Sequence, residues 1–426
     1  MKMNVLLMMK YEIKKTLGKP GGKVALLALA LVLVVSCGFC LNVSYVNDKG
    51  ETEKGPAAIA QLKAAQKEWA GYLDEAKLKA VVNENARINA EYYGDEKDYA
   101  SDSSSVDSQQ GEIAFSKKQG FEPIRDLLNK SFAGDFQSYD YYTADSLKPE
   151  QMKDFYTNRV ELVKQYLYEN DEVQRNKLYS DEEKAFFVQK YEEIQTPYYY
   201  DYFKGWQRLC EYAPTMIIMF MLIISCLVAG IFPEEFKRRS DAVFFASLHG
   251  RGRAVAAKVM AGFVIITVLY WLSIGIFAAV TLIGLGADGG SCPVQILSGL
   301  WKSFYNITIA QTGLLILAGG YLGCLLVGLL AMLFSSLSRS AVVAGILPFV
   351  VFFAPSVLES IFPNSASLAL LPHMLFDCSG ILRSFVVFSF GGHMTGALQP
   401  ILAIYAVLAV VLLPVMYLEY RRKQIA

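Results

Sequence analysis

Apolar positions along the chain follow two different patterns. Six stretches, Val24 to Val46, Ala213 to Phe232, Val259 to Leu285, Ile307 to Phe334, Ala341 to Leu358 and Ile401 to Leu418, contain no Asp, Glu, Lys or Arg. A bilayer's hydrocarbon core of about 30 Å takes about 20 helical residues to cross, so each predicts a membrane-spanning helix. A charge at the centre of such a helix costs roughly 2.5 to 3.5 kcal/mol. The third and fourth exceed a perpendicular crossing and predict tilt or an interfacial extension. Between the first two stretches, from Asn47 to Tyr212, apolar residues recur at three, four or seven positions instead. Ile59, Leu62, Trp69, Leu73, Ala76 and Ala80 form one such series, Phe155, Leu162, Tyr166 and Val173 a second, and Phe187, Tyr191 and Ile194 a third. That spacing predicts a mainly helical inserted domain. Its third helix opens on Ser180 and Glu183, spaced as a capping box. Ser101 to Ser108, between Gly94 and Gly111, reads as a mobile loop.

Composition supports the membrane reading: 54% of the 426 residues are hydrophobic and only 19% charged, too apolar for an ordinary soluble protein. The 40 basic and 40 acidic residues cancel only on average. The insert holds 22 basic against 32 acidic residues, or −10, which leaves +10 on the rest. These basic residues cluster in the head (Lys2, Lys10, Lys14, Lys15, Lys19, Lys23), in the loop after the second stretch (Lys237, Arg238, Arg239, Arg251, Arg253) and in the tail (Arg421, Arg422, Lys423); the opposite loops hold only Lys302 and Arg383. Because basic residues near span ends stay on the cytoplasmic side, a multi-pass protein of the cell membrane is expected. Both termini would be cytoplasmic and residues 47–212 extracellular. Val34-Val35-Ser36-Cys37 also resembles a lipoprotein signal, but the apolar run continues through Phe39, Leu41 and Val43, which favours a retained helix.

The expected plan is therefore an all-α polytopic protein. It has an interfacial helix over 1–23, a first span over 24–46, the helical domain over 47–212 and a five-helix region over 213–426. The head alternates Val5, Leu6, Met9, Ile13 and Leu17 with Lys10, Lys14 and Lys15, as suits a helix lying in the interface. Gly18, Pro20, Gly21 and Gly22 then turn the chain inward. Gly319, Gly320, Gly323 and Gly328 permit close helix contact, and Pro348 and Pro355 are expected to kink the fifth span. Between the fifth and sixth spans, Asp377, Arg383, Pro363 and Pro372 interrupt the apolar sequence, so a pair of short helices over 360–392 dipping into the membrane is expected. Cys210, Cys292 and Cys378 fall on the outer side, where a disulfide among them has no specific support. The 17 tyrosines of the insert, Tyr198, Tyr199, Tyr200 and Tyr202 among them, read as an interfacial belt plus helix packing or as a binding surface.

Several activities find no residues to carry them. No ionisable residue lies within the spans, which disfavours an ion-driven transporter, and His373 and His393 lie outside them. There is no H-E-x-x-H, no intramembrane aspartate pair and no G-x-S-x-G. Gly18-Lys19-Pro20-Gly21-Gly22-Lys23 fails as a phosphate loop in spacing and in lacking a Ser or Thr after the lysine. No catalytic, metal or cofactor site is expected on this chain, and no nucleic-acid partner.

The loop after the second span runs Phe232-Pro233-Glu234-Glu235-Phe236-Lys237-Arg238-Arg239-Ser240, then Phe244, Phe245, Leu248, Gly250-Arg251-Gly252-Arg253 and Lys258. Together with Tyr11-Glu12-Ile13-Lys14-Lys15 in the head and six spans with a large insert after the first, it resembles the type-two family of ABC transporter permeases. His249-Gly250-Arg251 departs from the Pro-containing turn usual there. The resemblance implies the membrane subunit of a bacterial exporter, paired with a second copy or a sister permease and moving a peptide, lipid-like or drug substrate. It also implies re-entrant helices between the last two spans. The loop at 233–254 would dock a separate ATPase subunit carrying ATP and Mg, through Glu12, Glu234, Glu235, Lys237, Arg238, Arg239, Phe244, Phe245, Leu248 and Arg251. A different class of function stays open: a receptor anchored by its spans that binds a ligand through the outer domain.

Overall fold

The computed structural model describes residues 5–93, 108–237, 239–247, 250–338, 341–361 and 366–422. Helix α1 (Val5–Gly18) is followed after the single extended residue Lys19 by α2 (Pro20–Cys40). Pro20 occupies the first helical position, where its missing N–H is harmless, so Gly21 and Gly22 lie inside α2 instead of forming the expected turn. Gly22 is where the two helices meet, since a Cβ there would stand 2.3 Å from the carbonyl oxygen of Thr16. The first apolar stretch also ends sooner than expected. After Cys40 the chain leaves the helix, and Val46 lies in strand β1 (Ser44–Val46), antiparallel to β2 (Thr52–Lys54).

The inserted domain is helical, as its periodicity predicts. The first apolar series, Ile59 to Ala80, is divided between α3 (Pro56–Glu68) and α4 (Glu75–Tyr93) by β3 (Gly71–Tyr72). Next come α5 (Ser108–Lys118), α6 (Glu122–Ser131), the one-turn α7 (Thr143–Ser146), α8 (Phe155–Tyr168), α9 (Asp171–Arg175) and α10 (Asp181–Glu192). The Ser180–Glu183 capping box is formed in both directions. The segment expected as a mobile loop lies outside the described residues except Ser108, which opens α5. Strand β4 (Tyr199–Tyr200) pairs with β3 and so fastens the end of the insert to its beginning. Tyr198, Tyr200 and Tyr202 are buried core residues, not a surface belt. Tyr200 Oη donates to the Gly120 carbonyl at 2.9 Å, and Tyr156 Oη both donates to the Leu73 carbonyl at 2.8 Å and accepts from Tyr198 N at 2.9 Å. A buried Arg125 donates to Asp145, which also accepts from Asn85 and Asn89. Beside them, burial pushes the Lys118 ammonium down to about 8, with Asp145 opposing and Arg125 reinforcing the shift.

Among the described residues five helices are long and apolar enough to cross a membrane, which marks a membrane protein: α2, α11 (Lys204–Ala229), the helical stretch over 250–285, α15 (Ile309–Ser338) and α18 (Leu398–Arg421). Two short helices, α12 (Glu234–Lys237) and α13 (Asp241–Ala246), follow α11, and a π-helical turn over Gly250–Ala254 leads into α14 (Val255–Leu285). The fifth apolar stretch lies in α16 (Ala341–Ile361), within which Gly345–Leu358 is a shorter apolar helix among the described residues. Both its prolines lie inside the helix. Helices α11, α14 and α15 form the middle of the bundle, with α2, α16 and α18 packed outside. The small residues of α15 make this possible: a Cβ on Gly320 would meet Ile217, on Gly323 Phe376 and on Gly328 Ile266, all within 2.6 Å. Apolar residues stand open on the outer faces, Leu27, Leu31 and Val34 on α2 and Val407 and Val410 on α18.

Between α16 and α18 the expected helix pair is only half realised. Two 3-10 turns and α17 (Cys378–Arg383) come first, but Ser384 to Gly391 leads into a hairpin of β5 (Val387–Phe390) and β6 (His393–Gly396) turning at Gly391 and Gly392. Aromatic residues alternate with smaller ones in β5, a strand pattern. All seven cysteines are free, so no pair forms among Cys210, Cys292 and Cys378.

The domain, the α14–α15 connection and the α16–α18 connection gather at one end of the bundle, here called the domain end. Arg159, buried in α8, donates to the Trp301 carbonyl and to Tyr198 Oη, and Tyr191 Oη donates to the Lys302 carbonyl. Lys130 Nζ reaches the Ser298 carbonyl at 2.9 Å, and Trp206 Nε1 the Ala287 carbonyl at 2.9 Å. Lys63 and Lys67 pair with Asp288 at 2.6 and 2.8 Å. These two contacts hold its carboxyl down at about 2.

Candidate functional site

The opposite, loop end brings together the head helix, the loop after α11, the start of α14 and the end of α18. Lys258 is fully buried, as expected of a residue on the inner face of α14. Its ammonium donates to Glu235 Oε2 at 2.8 Å and to the Ile231 carbonyl at 3.0 Å, and lies 3.5 Å from Glu12 Oε2. Glu235, 7% exposed, is bracketed by two cations, because its other oxygen accepts from Lys15 Nζ at 2.9 Å. Burial pushes this carboxyl's pKa up, but Lys258 and Lys15 together outweigh it and hold the group below its ordinary range. Lys15 also stands 3.7 Å from Glu12, and Lys19 pairs with Glu234.

Local sequence explains the assembly. Glu12 and Lys15 are spaced at three residues and lie on one face of α1, and Lys19 follows just beyond its end. Glu234 and Glu235 stand in the first turn of α12, where carboxylates are favoured by the helix dipole. The loop then folds back: Ser240 N donates to the Glu235 carbonyl at 2.9 Å, and Arg239 takes a positive φ of 53°. Gly250 is required where the loop returns, since a Cβ there would fall 1.7 Å from the Phe244 carbonyl oxygen. The Phe244 ring covers Lys258, 5.6 Å from its nitrogen, and faces Tyr420 of α18, which itself packs at 4.3 Å on Phe232.

Of the residues expected at a partner interface, the structure thus turns Glu12, Glu234 and Glu235 toward the chain's own lysines. Phe244 is half-buried among them. Arg239 and Arg251 are exposed, as is Val243 at 74%. Arg238 and Leu248 lie outside the described residues, as do the side chains of Lys237 and Phe245. Sequence reasoning assigns Lys15, Lys19 and Lys258 to orientation or to the opening of a span and misses their pairing with the loop acids. The usable signal was a Lys-rich helix face beside two adjacent glutamates in an otherwise basic loop. Among the described residues no group of three or more His, Cys, Asp or Glu could hold a metal. The cluster couples the head, the loop and α14 through charge.

No family model, no curated protein and no solved structure matches this chain.

Proposed function

We propose that the chain is the membrane subunit of an ATP-binding-cassette exporter. It moves a peptide, lipid-like or drug substrate outward as a homodimer or beside a sister permease, and ATP and Mg bind on a separate ATPase subunit. The observation that carries this reading is the charge cluster joining the head helix, the loop and α14 through Glu235. In an exporter of this kind a push on the loop has to reach the spans, and a loop tied by buried charge to α1 and α14 can transmit one. The proposal includes six crossings, with both termini and the loop cytoplasmic and residues 47–212 outside.

The pairing of Glu234 and Glu235 with the chain's own lysines supports a different part for these acids. Glu234 and Glu235 hold the loop in shape, and the surface offered to the ATPase is Val243 with Arg239 and Arg251. An exposed apolar residue flanked by cations suits a partner groove rimmed with carboxylates.

The test is a mild-detergent pull-down of the tagged chain from its native membrane, with mass spectrometry of bound proteins. A P-loop ATPase recovered with wild type and lost with Val243→Asp or Arg251→Glu, at equal amounts of folded protein, supports the reading. Consistent absence of an ATPase in several detergents, with a signalling protein recovered instead, overturns it in favour of an anchored receptor.

A further inference from the structure

A cavity of about 600 Å³ opens at the domain end, between the inserted domain and the two connections beneath it. That volume lies within the range of small-molecule sites, about 300 to 1,000 Å³. Its walls are aromatic. Phe136, Tyr166 and Tyr179 come from the domain, Trp301 from the α14–α15 connection and Phe385 from the segment after α17. The Phe385 ring is the hub, 5.5 Å from Phe136, 5.9 Å from Tyr166 and 6.5 Å from Tyr179, while Trp301 lies 5.3 Å from Phe136.

Four charged residues also line it: Lys302, Arg383, Asp377 and Glu183. The acids are already engaged. Asp377 Oδ1 accepts from Gly380 N at 2.8 Å as the N-cap of α17, and Glu183 Oε2 accepts from Ser180 N at 2.7 Å and Ser180 Oγ at 2.9 Å in the capping box. The cations are not neutralised. Among the described residues neither Lys302 nor Arg383 has a carboxylate oxygen within 4.0 Å. Lys302 instead donates to the neutral Gln137 at 2.8 Å and lies 5.0 Å from the centre of the Phe136 ring. Its partial burial pushes the ammonium below its ordinary value, with Asp135 only partly opposing. Lys302 is half-buried and Arg383 exposed at the rim, and a guanidinium presents a fork that matches carboxylate or phosphate oxygens.

We propose that this cavity is a binding site for an amphipathic anion, an apolar or aromatic body held among Phe136, Tyr166, Tyr179, Trp301 and Phe385, with a carboxylate or phosphate held by Lys302 and Arg383. The anionic group gives Lys302 and Arg383 the direct oxyanion partner that neither has among the described residues, and the ring wall takes the apolar body. The inference stands on the junction alone, whatever energises the chain.

The full chain in nanodiscs of zwitterionic lipid is titrated calorimetrically with 1-naphthyl phosphate and separately with 1-naphthylmethylamine, which carries the same ring and the opposite charge. The phosphate is expected to bind at least about tenfold more tightly than the amine, a gap of about 1.4 kcal/mol. The Lys302→Gln, Arg383→Gln double variant is expected to lose that preference while keeping its melting temperature. Equal binding of the two probes, or an unchanged preference in the folded double variant, overturns the proposal. Should the double variant fail to fold, the comparison of the probes on the wild type still decides. Repeating the titration in discs containing phosphatidylglycerol separates two sources of the anion. Competition identifies a lipid headgroup, and unchanged affinity a free solute.

Discussion

The two ends of the bundle are held by different chemistry. At the domain end the insert grips backbone oxygens: Arg159 holds the Trp301 carbonyl, Tyr191 that of Lys302, and Lys130 that of Ser298. At the loop end the contacts are charge on charge, Glu235 between Lys258 and Lys15 and Glu234 against Lys19. These grips act on the chain path itself, and their donors Arg159, Tyr191 and Lys130 are buried. A carboxylate bracketed by two ammonium groups can be exchanged for another anion or cation brought by a partner. The domain end is therefore built as a fixed frame and the loop end as a junction open to outside charge.

The largest effect expected from breaking this contrast is at Glu235. Glu235→Ala takes the nearer carboxylate from buried Lys258 and leaves it only Glu12 at 3.5 Å, a loss of up to about 3 to 5 kcal/mol for a buried pair broken on one side. It would appear as a sharply lowered melting temperature in detergent. Glu235→Ala combined with Lys258→Met is expected to recover most of the loss. A double variant as unstable as the single would show that the cluster is not a charge pair in energetic terms.

Next is Arg159→Met, which keeps the buried bulk and removes the donor to the Trp301 carbonyl. The cost is about 1 to 3 kcal/mol for the polar groups left unpaired. It should be read as faster proteolytic release of the inserted domain with the loop end unaffected. Equal loosening of both ends would mean that they do not behave as separate units.

A third, smaller effect depends on pH. Lys118 titrates at about 8 in the folded domain, against about 10.4 in an unfolded chain. Between those values the unfolded state holds more protons, so stability rises with pH, by at most about 1.4 kcal/mol per unit. The difference in unfolding free energy between wild type and Lys118→Met should carry that slope over pH 8 to 10. A flat difference would deny the burial penalty. Smallest is Lys67→Ala, which removes an exposed partner of Asp288 and is expected to change stability by less than about 1 kcal/mol.

Much of this architecture can be read from residue pattern, and the misses have physical causes. Spans are written in long uncharged runs, and α10 in the Ser180–Glu183 box and its apolar period. The insert's tyrosines were ambiguous because a ring with one polar atom suits both a membrane boundary and a core; only the partners of Tyr156 and Tyr200 decide. The hairpin after α17 was hidden by short apolar runs that fit helix and strand alike. At the loop end the residue types were visible but the pairing was not, since Lys15 and Glu235 are 220 positions apart. The aromatic cavity has no local signature at all, being assembled from the domain and both connections.

The joint between α1 and α2 has a mechanical consequence. Lys19 is the single residue separating the two helices, and Gly22 leaves no slack behind it. With no loop between them, a movement of α1 pivots at Lys19. At about 1.5 Å per residue α1 is an arm about 20 Å long, whose far end moves about 3 to 4 Å for a pivot of about 10°. Lys15 and Lys19 ride near the pivot and carry α12 through a much shorter arc, which gears a wide swing at the head down to a small, firm displacement of the loop.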